Sequence, residues 1–307
     1  MESVTYFEIM TLLAMQAMKR AGIQIGIFEV GMGGRLDATN VLPAKLAILT
    51  PIHLDHEAIL GNTIAKIAYE KAAIIKRGAS VVVAPQKKQA IKVILIRSRA
   101  QKAKLYEIKW GQTPKGQIGS DPIKVGLAGD YQRTNAAAAQ KAAELLRDQF
   151  NYPVTSRGLD QGVRAKNWPG RFEILKRGGA EFLLDGAHNP ISIEALVRNS
   201  KRLYPNRKRL LIFGTARDKK SALMLRTLSR YFSDIIVTRA QNPRSIDVET
   251  LLLQSRGLFS TITPAGTVRE ALEAARRRKM AGGLIVVTGS FYLIGEIRKK
   301  LKGKSKK

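Results

Sequence analysis

Residues 23–40 read I-Q-I-G-I-F-E-V-G-M-G-G-R-L-D-A-T-N. The isoleucine-rich first part predicts a strand over Ile23 to Val30. Gly31, Gly33 and Gly34 follow at once, so the chain is expected to turn sharply just past the carboxyl end of that strand. A glycine-rich turn in such a place commonly holds phosphate. The spacing here fits neither G-x-G-x-x-G nor G-x-x-x-x-G-K-[ST], and Glu29 sits where a phosphate cradle wants a bare helix N-terminus.

Outward from this loop, short Ile/Val-rich runs alternate with longer segments of helical period, the pattern of βαβ units on a parallel sheet. The first half predicts a helix over Phe7 to Arg20, a strand over Leu46 to Ile52, a helix over Thr63 to Lys76 stopped by Gly78, and a strand over Ser80 to Ala84. An alanine-rich helix is expected from Asn135 to Phe150. Asn167-Trp168-Pro169-Gly170 then punctuates the chain and sets the expected domains at residues 1–166 and 167–307. In the second half a strand ends at Leu184, and Asp185-Gly186-Ala187-His188-Asn189-Pro190 opens a helix with Asn189 as N-cap and Pro190 as its first residue. Strands at Arg209 to Phe213, Asp234 to Thr238 and Leu284 to Thr288 alternate with helices near Lys219 to Tyr231, Val248 to Ser255 and Val268 to Met280. The fold class is α/β in two domains, the second doubly wound.

Composition narrows the function classes. With 307 residues and 45% hydrophobic content the chain can bury two cores, and the absence of cysteine excludes disulfides, thiolate metal sites and a cysteine nucleophile. No apolar run is long enough to span a bilayer and Met1-Glu2-Ser3 does not open a signal peptide, so a cytoplasmic protein is expected. Lys and Arg number 53 against 24 Asp and Glu, a formal +29. That field attracts polyanions of any kind. The basic residues fall mostly on polar helix faces and in the tail from Lys299 to Lys307, without aromatic interleaving, which argues against a dedicated nucleic-acid partner.

In open α/β sheets ligands bind beyond the carboxyl ends of strands. Glu29, Asp55-His56, and Asp185 with His188 all follow strands. Glu29 and His56 would supply an oxygen and an imidazole to a divalent ion if their strands are neighbours; the alternative is a hydrogen-bonded histidine near a turn. On the helix after His56, Lys71 lies one turn after Ile67 and two after Ile64, on the apolar stripe. An inward ammonium must be paired, neutral or chemically modified, or snorkel out to water.

The strings E-V-G-M-G-G-R-L-D-A-T-N, L-T-P-I-H-L-D-H-E-A-I-L-G-N-T-I-A-K-I-A-Y-E-K-A-A-I-I-K, W-P-G-R-F-E and D-G-A-H-N-P resemble the folylpolyglutamate synthase and dihydrofolate synthase family of Mur-type ligases. Weaker echoes, G-D-Y-Q-R-T-N, G-T-A-R-D-K-K and T-G-S-F-Y-L-I-G-E, carry the likeness almost to the basic tail. The resemblance implies a Mur-like central parallel-sheet domain and a Rossmann-like C-terminal domain. It also implies a monomeric, ATP-dependent ligase that phosphorylates a folate or pteroate carboxylate and lets the amine of L-glutamate displace the phosphate. Carried over position by position, Glu29 and His56 look like Mg2+ ligands, and Lys71 resembles the lysine the family carbamylates. Asn135, Arg171 and Asp185 match ATP contacts, with His188 beside them. Thr5, Tyr6, Phe7 and Glu8, with Leu36, Asp37 and Ala38, match stretches lining the pterin pocket. Glu29, His56 and Lys71 are expected to meet around one ion.

The likeness departs from the family at several points. No G-x-x-x-x-G-K-[ST] occurs in the 307 residues, so the first domain is expected to lack its first βα unit, and turnover by this chain alone is expected to be impaired unless an N-terminal segment is supplied. Ala73, Tyr131 and Lys220 stand where the family commonly has Gly, His and Asp. The rival readings are a non-catalytic folate-binding or regulatory paralogue and another Mur-type amino-acid ligase.

Overall fold

The computed structural model describes residues 4–108, 117–118, 121–122, 125–126, 129–165, 168–278 and 282–303. Asn167, the expected helix end at Met280 and the last four tail residues lie outside the described residues. The chain divides into two compact units: Met1–Lys124 with Arg133–Val163, and Val125–Gln132 with Arg164–Lys307.

The first unit opens with helix α1 (Tyr6–Arg20) and continues through β1 (Leu46–Leu49), α2 (Glu57–Leu60), α3 (Ile64–Ala72), β2 (Ser80–Val83), α4 (Lys88–Ala100) and β3 (Lys104–Glu107). A short hairpin, β4 (Gln117–Ile118) with β5 (Asp121–Pro122), precedes α5 (Asp130–Phe150) and α6 (Ser156–Arg164). β1, β2 and β3 form a parallel sheet in that order. Every residue of the central strand is buried, because helices cover both faces. Val81 and Val83 pack with Ile67, Ile75 and Ile94 of the α3/α4 layer, whereas Val82 packs with Ala138, Ala142 and Leu145 of α5.

One expected element is absent. Ile23 to Val30 forms no strand: the segment has no ladder partner among the described residues, and β1 pairs with β2 alone. Extended backbone becomes a strand only where its N–H and C=O groups meet a neighbour. Ile23 and Ile27 are accordingly 50% and 87% exposed, so the period-2 pattern is present and the pairing is not. Smaller differences are at ends: α5 starts five residues before the expected Asn135, and α3 stops four short of Lys76.

The second unit contains β6 (Glu173–Arg177), β7 (Ala180–Leu184), α7 (Pro190–Leu203), β8 (Arg209–Phe213), α8 (Ser221–Ser229), β9 (Asp234–Val237), α9 (Val248–Ser255), β10 (Thr261–Pro264), α10 (Val268–Arg277), β11 (Leu284–Thr288) and α11 (Phe291–Lys302). The strands run in the order β10-β9-β8-β11-β7-β6, parallel throughout except for β6, an antiparallel edge joined to β7 by Gly178-Gly179. Alternate residues divide the core. Leu183, Leu211, Phe213, Ile235 and Val286 face α7, α8 and α9, while Phe182, Leu184, Ile212, Ile236 and Val287 face α10 and α11. Full burial of each such side chain contributes roughly 1.5–3 kcal/mol, which fixes the register. The chain leaves β7 for β8 on one side, and β11 later returns between them, so the strand order reverses there. A crevice for ligands is expected beyond the carboxyl ends of these three strands.

Candidate functional site

In the second unit the D-G-A-H-N-P segment leaves the end of β7. Asn189 caps α7 by accepting from Ser192 N–H at 2.9 Å, and Pro190 is its first residue, as the sequence requires. Asp185 is only 4% exposed. Its Oδ1 accepts from Ala187 N–H at 2.9 Å, and its Oδ2 accepts from Phe172 N–H at 2.9 Å and from the Tyr131 hydroxyl at 3.4 Å. The carboxyl therefore ties together the W-P-G-R-F segment, its own loop and the start of α5. Burial pushes its pKa up to about 6, against the pull of the two backbone donors and Arg171. Burial likewise pushes the Tyr131 hydroxyl pKa upward, with the Asp185 charge acting in the same direction.

Arg171 and His188 meet through Phe291, the first residue of α11. The Arg171 guanidinium carbon lies 4.6 Å from the centre of that ring, and the His188 ring centroid lies 5.9 Å from it. His188 Nδ1 is 2.8 Å from Gly186 O, which leaves Nε2 as the ring nitrogen away from that contact. Gly186 is required here because a Cβ would come within 2.2 Å of the Phe291 ring. The structure thus brings Arg171, Asp185 and His188 to one place, with Phe291, Phe172 and Tyr131 beside them. Sequence reasoning gave none of the last three a role, although T-G-S-F-Y and R-F-E carried the signal.

In the first unit the glycine loop packs on α3. A Cβ at Gly34 would lie 2.7 Å from Glu70 O and 3.1 Å from Lys71 O, and Gly33 has φ 68, the left-handed region. Asp37 holds the loop from its other side, accepting from Met32 N–H at 2.9 Å and from Thr39 N–H at 3.0 Å and Thr39 hydroxyl at 2.6 Å. Ala38 begins the 3-10 turn Ala38–Val41 that follows. Arg35 pairs with Glu70 at 3.0 Å, and Leu36 is exposed. The glycines therefore let a loop approach a helix backbone, and Asp37 is the peg.

Lys71 is half-buried on α3. Burial lowers its pKa, and the charges of Asp55 and Asp37 partly restore it. His56 stands at the N-terminal boundary of α2 in a left-handed conformation, φ 52 and ψ 37, with its N–H donating to Asp55 Oδ1 at 2.9 Å. Glu29 is exposed. Among the described residues no three His, Asp or Glu side chains form a group able to hold a metal ion. Magnesium is commonly held by one or two carboxylates together with substrate phosphates and water rather than by a complete protein cage. Thr5 and Glu8 form the capping box of α1, Thr5 N–H donating to Glu8 Oε2 at 2.7 Å. Tyr6 and Phe7 are exposed, Phe7 lying against Gly31. Asn135 sits on an exposed position of α5.

The family model for the Mur ligase middle domain matches residues 2–143, and that for the Mur ligase glutamate ligase domain matches residues 170–291. Folylpolyglutamate synthase of Lacticaseibacillus casei is 33% identical over 319 residues, covering 98% of this chain and 72% of the relative. The chain belongs to the folylpolyglutamate synthase/dihydrofolate synthase family of Mur ligases. Dihydrofolate synthase/folylpolyglutamate synthase of Bacillus subtilis is 31% identical, over 97% of this chain and 72% of its own length. Among solved structures, Mycobacterium tuberculosis folylpolyglutamate synthase complexed with ADP superposes with TM-score 0.85 at 28% identity, over 98% of this chain and 73% of that one. Membership makes the α/β units those of a Mur ligase and the chain an ATP-dependent ligase. No described helix is long and apolar enough to cross a membrane.

Proposed function

We propose that this chain joins L-glutamate to folate or dihydropteroate in an ATP- and Mg2+-dependent reaction that passes through an acyl phosphate. The observation that carries this reading is the 33% identity over 98% of the chain to a folylpolyglutamate synthase, spread across both Mur segments. The cytoplasm is its proposed location and a monomer its proposed state.

The pteridine substrate's carboxylate takes the γ-phosphoryl group of ATP. The glutamate amine then attacks the acyl carbon, loses a proton and expels phosphate. Arg171, ordered against Phe291, is suited to hold phosphate charge, and a guanidinium does so in bidentate fashion. Asp185 fixes the loops that present Arg171 and His188, and is assigned with Asn135 to the nucleotide. Glu29 and His56 would hold Mg2+, which when bound offsets phosphate charge. Lys71 is assigned to carbamylation: its lowered pKa enlarges the neutral amine fraction, which adds to carbon dioxide and releases a proton to leave an anionic carbamate. The stretches Thr5 to Glu8 and Leu36 to Ala38 are assigned to the pterin.

The 307 residues carry no G-x-x-x-x-G-K-[ST] cradle, so slow phosphoryl transfer is expected from this chain alone. The test is incorporation of labelled glutamate with ATP, Mg2+ and tetrahydrofolate or dihydropteroate, run with protein in excess over the pteridine. Product that requires all components supports the reading. Pteridine binding without any product favours the non-catalytic paralogue instead.

A further inference from the structure

Helix α11, the last of the second unit, turns one face to the segment that carries Arg171. Phe291, Ile294 and Arg298 stand at i, i+3 and i+7 on it, a single stripe of the helix. Each meets a different residue of the segment 170–173. The centre of the Phe291 ring lies 4.6 Å from the Arg171 guanidinium carbon. Ile294 packs so closely on Gly170 that a Cβ there would come within 2.9 Å of its Cγ2. Arg298 Nε donates to both oxygens of Glu173, at 3.0 and 2.9 Å, and Lys302 Nζ adds a second cation 3.5 Å from Oε1.

Glu173 passes this anchor on to the backbone. Its Oε2 also accepts from Gly170 N–H at 2.9 Å, so the carboxylate closes a loop around Arg171, from the residue before it to the second residue after it. The same loop is held from β7 by Gly186 N–H, which donates to Gly170 O at 2.8 Å, and by Asp185 Oδ2, which accepts from Phe172 N–H at 2.9 Å. The fastening has a load to carry. Phe172 sits in the left-handed region, φ 51, where a bulky residue persists only when its surroundings over-determine it. The Arg298 and Glu173 side chains are only 27% and 15% exposed, so salt screens their pairing less than it screens a surface pair.

We propose that Arg298 is a positioning residue for Arg171: through Glu173 and Gly170 it fixes the loop from which the guanidinium reaches a nucleotide phosphate. The inference rests on the assignment of Arg171 to ATP. Titration calorimetry of the full chain with ADP tests it through a double-mutant cycle. R171Q should weaken ADP about tenfold and R298Q about threefold, while R171Q/R298Q binds no more weakly than R171Q alone, because Arg298 then has nothing left to position. R298K keeps a cation against Glu173 and should bind within about twofold of the parent. R207Q breaks the pair with Glu181 at the start of β7, so it should lower the melting temperature and still bind ADP within about twofold of the parent. Without nucleotide, the Gly170 N–H should exchange with solvent faster in R298Q than in the parent. Additive losses in the double variant, unchanged ADP affinity in R298Q, an equal loss in R207Q, or unchanged exchange at Gly170 would each overturn this inference alone. A parent chain that binds no ADP, or R171Q that binds it as the parent does, would overturn the nucleotide assignment and this inference with it.

Discussion

Replacing Asp185 by Asn separates the cost of burying a charge from the hydrogen bonds that the charge accepts. In the native fold the carboxyl pKa rises from the ordinary 3.8 to about 6, which is a bias of about 3 kcal/mol toward the neutral acid. The folded chain therefore binds the proton more tightly than the unfolded chain does. Stability from this group is fully present below about pH 3.8 and is lost as pH rises through about 6. Asparagine carries no charge at any pH. It does place an amide nitrogen opposite either Phe172 N–H or Ala187 N–H, leaving one backbone donor unmet at a cost of about 1–3 kcal/mol. The two effects nearly cancel near neutrality, while the variant is the weaker protein in acid. Urea unfolding of both proteins between about pH 4 and about pH 7.5, followed by circular dichroism, should show D185N gaining about 2–3 kcal/mol on the parent across that range. Carboxylates common to both proteins drop out of the difference. A difference that stays constant, or that moves against the variant as pH rises, would mean that the donors hold the carboxyl at or below its ordinary pKa and that the assignment of burial as the dominant cause is wrong.

Gly186→Ala should force the Phe291 ring off Arg171, costing about 1–3 kcal/mol in thermal unfolding and weakening ADP binding; unchanged affinity for ADP would detach Phe291 from the nucleotide site. Gly34→Ala should lift the glycine loop from Glu70 O and destabilise the first unit by about 1–3 kcal/mol, seen as lost hydrogen-exchange protection in α3. Lys71→Arg keeps the positive charge and cannot form the carbamate, so turnover should disappear while the melting profile stays close to that of the parent; an active arginine variant would remove carbamylation from the account.

Much of this fold is written in local pattern. Asn189-Pro190 announces the start of α7 because capping is a contact between near neighbours, and β8 is visible as the unbroken apolar run Leu210, Leu211, Ile212 and Phe213 because both of its faces are covered. Ile23 to Val30 is equally rich in strand-forming residues, at period 2, and still forms no strand, since pairing depends on a neighbour that periodicity cannot supply. The antiparallel edge β6 escaped notice although Gly178-Gly179, both at positive φ, is a two-residue hairpin turn. At the candidate site, Asp185 and His188 were legible as residue types after a strand, and Arg171 through the family resemblance of W-P-G-R-F-E. What Asp185 does was not, because its three donors come from Tyr131, Phe172 and Ala187, and the first lies far away in sequence. Lys71 was legible as an inward lysine from its stripe, whereas the acids that act on it, Asp37 and Asp55, belong to loops that only the fold brings near.

The reaction itself is tested most directly by oxygen transfer. With a pteridine substrate whose reacting carboxylate carries heavy oxygen, ATP, Mg2+, glutamate and the protein in excess, one labelled oxygen should appear in the released inorganic phosphate for each new amide bond. Amide formation with no label in phosphate, or phosphate release that is independent of the pteridine, would contradict ligation through an acyl phosphate.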